Sequence, residues 1–150
     1  MINKINLIKE VNSINKLFEY KEICNLNNHI FNVLKAENRT LDFHSHDSSD
    51  ELFYCIEGQF DIEFEDGKTH LCEGDLIVIP KGVLHRPVVT SLVKCLLVEL
   101  DGTLDSSNTG GTYKKIATQV VWLFFYSISM IVSTFSSTLN LTCISAKFIP

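Results

Sequence analysis

The sequence predicts an all-β fold closed into a barrel, and three observations carry that reading. The segments after Phe18 are short, rich in β-branched and aromatic residues, and mostly alternate apolar with polar side chains. Clusters of Asn, Asp, Gly and Ser punctuate them as turns. Third, His44, His46 and Glu51 are local to one another while His85 is remote, and a shared site for all four requires a closed β architecture.

In order along the chain, residues 1–17 form an N-terminal extension. Ile5, Leu7, Ile8, Val11 and Ile14 mix helical and strand spacing, so a short strand or helix packed outside the barrel is expected. The barrel is assigned to residues 18–105. It opens with the strands FEYKEICNL and HIFNVLKAE around a turn at Asn25 to Asn28, and His29 reads as a surface or edge residue. The run ELFYCIE follows, and then FDIEFEDGKTHLCEGD alternates as a half-buried hairpin about the turn Asp66-Gly67, with His70 on the return arm and not expected to be a ligand. LIVIP is too short an apolar run for a helix and reads as a buried strand, and LVKCLLVEL closes the barrel. Residues 106–115 form a polar linker, and 116–150 an apolar tail.

The chemistry lies in FHSHDSSDELFYCIEG and GDLIVIPKGVLH. On an extended strand His44 and His46, two apart, project to the same side, while Phe43 and Ser45 point the other way. The small polar turn Asp47, Ser48, Ser49 brings Glu51 back beside them, and the Pro80-Lys81-Gly82 turn leads to His85. Asp50, the competing carboxylate, would face away from Glu51. Three imidazoles and one carboxylate suit a divalent first-row metal (Mn, Fe, Ni or Zn) and leave one or two coordination positions open.

These two stretches resemble the motifs of the cupin superfamily. The first motif, Gly-x5-His-x-His-x4-Glu-x6-Gly, is met at His44, His46, Glu51 and Gly58. The second, Gly-x5-Pro-x-Gly-x2-His-x3-Asn, is met at Gly74, Pro80, Gly82 and His85. The opening Gly is replaced by Asn38, which tolerates a left-handed backbone, and the closing Asn by Val89. The resemblance covers roughly residues 20–105. It implies a double-stranded β-barrel of jelly-roll kind with the metal on His44, His46, Glu51 and His85. It extends to small cupins described as similar to mannose-6-phosphate isomerase, although only Lys81 and Arg86 stand near the motifs to meet a phosphosugar.

Composition narrows the rest. Thirteen Lys and Arg face 18 acids for a net charge of −5, and the basic residues are scattered rather than striped, which argues against nucleic acid. Cys24, Cys55, Cys72, Cys95 and Cys143 make no Cys-x-x-Cys pair and read as reduced residues of a cytosolic protein. The opening MINKINLIKEVNS is too polar for a secretory signal. Ile116 to Ala146 carries no charge, and the segment from Ile116 to Phe135 has 14 apolar residues in 20, the length of a bilayer span, interrupted by six Ser, Thr and Gln. The tail admits three readings: a membrane anchor that leaves the barrel in the cytosol, strands laid on the barrel or in a homodimer interface, or sequence of no evolved function.

Two functions follow. One is an enzyme of oxygenase, isomerase or lyase type acting on a small polar molecule at the metal. The other is a binding or sensor module using the same pocket without turnover. No Ser-His-Asp order, phosphate loop or activated cysteine is present to carry catalysis without a metal.

Overall fold

A computed structural model describes residues 4–104, and within them the chain is all-β apart from one short helix. Helix α1, Leu7–Asn12, starts where the Asn6 side chain accepts a hydrogen bond from the Lys9 amide at 3.0 Å. Nine strands follow: β1 Lys21–Leu26, β2 His29–Ala36, β3 Arg39–Thr40, β4 Glu51–Glu57, β5 Gln59–Phe64, β6 Gly67–Cys72, β7 Leu76–Ile79, β8 His85–Val89 and β9 Val93–Leu100. They build two antiparallel sheets, in the orders β1-β2-β9-β4-β7 and β3-β8-β5-β6.

The sheets are not hydrogen-bonded into a ring, so the expected closed barrel is corrected to two facing open sheets. Where closure would occur the chain between Thr40 and Glu51 forms no ladder and bends at Asp47 and Ser48, joined to β8 by an isolated bridge at His44 and His85 and a single bond from the Leu41 amide to Pro87. LVKCLLVEL therefore does not close a barrel. Its strand β9 is the centre of the five-stranded sheet, between β2 and β4. LIVIP is corrected likewise: β7 is an edge strand, paired only with β4, and its Leu76 and Val78 are more than half exposed while Ile79 is buried. The hairpin turn of β5 and β6 is Glu65-Asp66, one residue earlier than expected, because Gly67 already pairs with Phe64 in the ladder. At the first hairpin, Asn27 and Asn28 both take positive φ, the conformation that matches the twist of paired strands.

Alternation then makes the core. Leu34, Phe53, Cys95 and Leu97 from one sheet meet Phe60, Ile62 and Leu71 from the other. A second cluster lies on the outer face of the five-stranded sheet, where α1 and the turn after it press the buried Val11 and Ile14 onto Val33 and Leu96. The chain passes between sheets through one residue, Gly58, at φ 92°. A Cβ there would meet the Leu92 carbonyl oxygen at 2.6 Å, so only glycine fits. Asn38 indeed adopts the left-handed backbone, at φ 49°.

Candidate metal centre

His44, His46, Glu51 and His85 arrive from three pieces of backbone. Glu51 begins β4 on its inner face, and His85 begins β8. His44 and His46 lie on the irregular segment between β3 and β4 rather than on a regular strand. Two backbone bonds, His44 amide to His85 carbonyl at 3.0 Å and the reverse at 2.9 Å, lock the two motifs together. The Pro80 turn is tied to the same segment, for the Gly82 amide donates to the His46 carbonyl at 2.8 Å and the Lys81 amide to the Asp50 carboxylate at 2.9 Å. Asp50 thus points out of the site and holds the loop. Ser49 is buried and accepts from the Leu100 amide at 2.9 Å, fixing the start of β4 against the end of β9.

One ligand atom from each of the four side chains lies within 4.8 Å of the others. His46, Glu51 and His85 are buried, and His44 is half-buried. The Nδ1 atoms of His44 and His85 lie 2.8 and 2.9 Å from the Asp42 and Val83 carbonyls. A carbonyl only accepts, so each Nδ1 carries the proton and each Nε2 is a free lone pair when the ring is neutral. His85 Nε2 sits 2.7 Å from Glu51 Oε2. His46 Nε2 is 3.3 Å from the same oxygen but without hydrogen-bond geometry, which leaves it a buried nitrogen with no bonding partner. An orphaned ring nitrogen costs desolvation energy, and a cation among these four groups would offset it. The donor set fits a divalent first-row ion.

Electrostatics agree with that geometry. Burial opposes the Glu51 charge, yet the adjacent His46 imidazole and the hydrogen-bonded His85 hold its carboxyl below the usual range. Burial also opposes protonation of His85, but the bond to Glu51, the Val83 carbonyl and the Glu51 charge together raise it. His44 is lowered, chiefly by burial and by the neighbouring imidazoles, against the Asp42 carbonyl and Glu51 that favour its charge.

The site opens into a cavity between the two sheets. The walls are mostly apolar, from Leu34, Phe53 and Leu97 on one sheet to Phe60, Pro87 and Val89 on the other. That lining suits an apolar body better than the small polar molecule expected from the sequence. The cations expected near the motifs are placed elsewhere. Arg86 points outward, bound to Glu63 at 2.7 Å and stacked on Phe43, and Lys81 lies exposed on its turn. His70 is on the outer surface beside Asp61, and His29 caps the Asn27 carbonyl. Two inward groups escaped notice in the sequence, Arg39 in the cavity wall and Glu99 buried on β9. Glu99 was findable, because it continues the alternation Val93, Cys95, Leu97. Arg39 was not, since β3 has only two residues.

Among the described residues no helix is long and apolar enough to cross a membrane. Cys24, Cys55, Cys72 and Cys95 are free thiols. The expectations for the linker and tail, including the anchor and the dimer interface, and for Cys143 fall outside the described residues.

Comparison with known proteins places this architecture. The family described as Cupin domain matches residues 32–101. The Bacillus subtilis protein YdbB is 34% identical over 82 residues, 54% of this chain and 72% of YdbB. A cupin-2 domain containing protein from Shewanella frigidimarina superposes with a TM-score of 0.61 at 31% identity, over 64% of this chain and 93% of that one. A protein from Neisseria meningitidis does so with a TM-score of 0.59 at 29% identity, over 66% of this chain and all of that one. With both motifs at family spacing and their ligand-type residues gathered at one end of the space between the sheets, the chain belongs to the cupin superfamily.

Proposed function

We propose that this cupin holds one divalent transition metal, Mn, Fe, Ni or Zn, on His44, His46, Glu51 and His85, and binds a small molecule in the cavity beside it. The observation that carries the reading is the buried Nε2 of His46, which makes no hydrogen bond, within a cluster whose ligand atoms lie within 4.8 Å of one another. Such an ion, when bound, would supply Lewis acidity or a place for dioxygen, the chemistry of oxygenases, isomerases and lyases. The chain supplies the rest. The Asp42 and Val83 carbonyls orient two imidazoles, the backbone bridge fixes the spacing of His44 and His85, and the apolar walls exclude bulk water.

Elemental analysis of protein purified without chelators tests this. Near-stoichiometric metal is expected in the wild type and in His70→Ala, and a loss of tenfold or more in metal affinity in His46→Ala. Trace metal in the wild type would sink the proposal. A binding or sensor module without turnover uses the same four residues, and a turnover screen on the metal-loaded protein separates it from the enzyme.

A further inference from the structure

The cavity has two polar ends. One is the His44, His46 and Glu51 end, and the other is the guanidinium of Arg39. Arg39 pairs with Val89 across β3 and β8, whereas His44 bridges to His85 on the same strand. Four residues of β8 therefore separate the two ends, roughly 13 Å along the backbone at the rise of a strand. Between them His85, Pro87 and Val89 face inward on β8, and Leu34, Phe53 and Leu97 form part of the facing wall. Where the cupin motif closes with a polar Asn, this chain has Val89, directly opposite Arg39.

Arg39 is set up as a receptor for charge. It is half-buried, its guanidinium is stacked 4.5 Å from the Phe18 ring centre, and it makes no ion pair with any described residue. Arg86, the other arginine, is by contrast held by Glu63. A guanidinium kept planar over an aromatic ring in an apolar wall presents its edge donors to a planar anion, and a carboxylate matches that edge with two parallel bonds. One positive charge in such surroundings balances one negative charge. A dianion would leave the second charge desolvated and unpaired.

We infer that the cavity takes an apolar monocarboxylate, its carboxylate on Arg39, its ring or chain among Phe53, Phe60 and Leu97, and its far end against His44, His46 and Glu51. This rests on the proposed use of the cavity next to the metal, and it replaces the polar ligand with an amphipathic one. A phosphosugar fits poorly, because Arg39 is the one Lys or Arg among the described residues that line the cavity and most of its walls are apolar.

The test is calorimetric titration of the full chain with 3-phenylpropionate, its neutral amide and malonate. It uses wild type, Arg39→Gln and Arg39→Lys, each with its metal content measured, loaded and after chelation. The acid is expected to bind the wild type about 10- to 100-fold more tightly than the amide or malonate. Arg39→Gln should bring the acid down to the level of the amide and leave the amide unchanged, with Arg39→Lys in between. Equal binding of acid and amide, no binding of the acid, or an acid affinity unaffected by Arg39→Gln would overturn the inference. So would binding that vanishes on chelation while ignoring Arg39, which would put the carboxylate at the metal. Should Arg39→Gln fail to fold, Arg39→Lys and the acid-to-amide ratio in the wild type decide the matter. A wild type that carries no metal but still separates acid from amide would refute the metal reading and leave this one standing.

Discussion

At the scale of single residues, the two carboxylates on the inner face of β4 and β9 behave in opposite ways. Leu52 pairs with Val98, which sets Glu51 and Glu99 beside each other, both buried. Glu51 has two imidazoles to meet its charge. Both oxygens of Glu99 lack a partner, and burial first, then the Glu51 charge, pushes its carboxyl up to about 9. The folded protein thus holds a proton that the unfolded chain gives up near the ordinary value of 4.5, so Glu99 costs stability as pH rises between those two values. Metal-free Glu99→Gln is expected to be more stable than wild type by roughly 3 kcal/mol at pH 7, with the gap closing toward pH 4.5. Urea unfolding across that range checks it, and a gap that ignores pH would refute it. His85 has the opposite consequence at the metal. Because Glu51 holds it protonated above the ordinary histidine value, an ion must displace that proton. Titrating Zn²⁺ into chelator-treated protein at pH 6.5, in buffers of different ionisation heat, should show release of about one proton, and metal should be lost as pH falls through the histidine range. The same pair stabilises the metal-free fold in a limited window: the Glu51 part fails as pH drops below the carboxylate range, and the His85 part fails as pH rises past its elevated value. The four ligand-type residues were legible because the spacing of two motifs names them. Their protonation was not, since it depends on carbonyls and neighbours that only the fold assembles.

At the scale of elements, the informative departures are those where burial cannot be read from residue type. Leu76, Val78 and their neighbours look like a core strand, but β7 has a partner on one side only, and sheet order rather than composition decides which apolar run is central. Strand bounds were read well where one face alternates cleanly, as in β4, and poorly where a turn carries a Gly that belongs to the ladder, as at Gly67. Gly58 and Gly74 both stand in the motifs and both take φ 92°, yet their surroundings differ. A side chain at Gly74 would meet open space, whereas one at Gly58 would strike the backbone before β9. Gly74→Ala is expected to cost roughly 1 kcal/mol, the strain of the left-handed conformation alone. Gly58→Ala should cost roughly 2–4 kcal/mol, because Leu92 or the crossing itself must move. Thermal or denaturant unfolding of the two variants measures the difference, and equal costs would show that the crossing yields easily.

At the scale of the whole molecule, residues 4–104 hold both sheets, both apolar clusters and the entire candidate site. A chain ending at Lys115 is therefore expected to fold and to retain metal as the full chain does. An insoluble or metal-free product would assign part of the core to the tail. The all-β class was legible from alternation and turns, whereas the openness of the sheets was not, because closure depends on a few hydrogen bonds between Thr40 and Glu51 that leave no mark on hydrophobic pattern. The order of strands in the larger sheet has one more consequence, and it concerns time. Its central member, β9, is the last strand made among the described residues, and until it exists β2 and β4 have nothing between them. A ribosome releasing this chain from its N-terminus can let the β1-β2 and β5-β6 hairpins form early, but the larger sheet must wait for Leu100. Through that interval the inward faces of β2 and β4 are bare, so this protein should gather its core in one late step and depend on whatever shields unfinished chains until then.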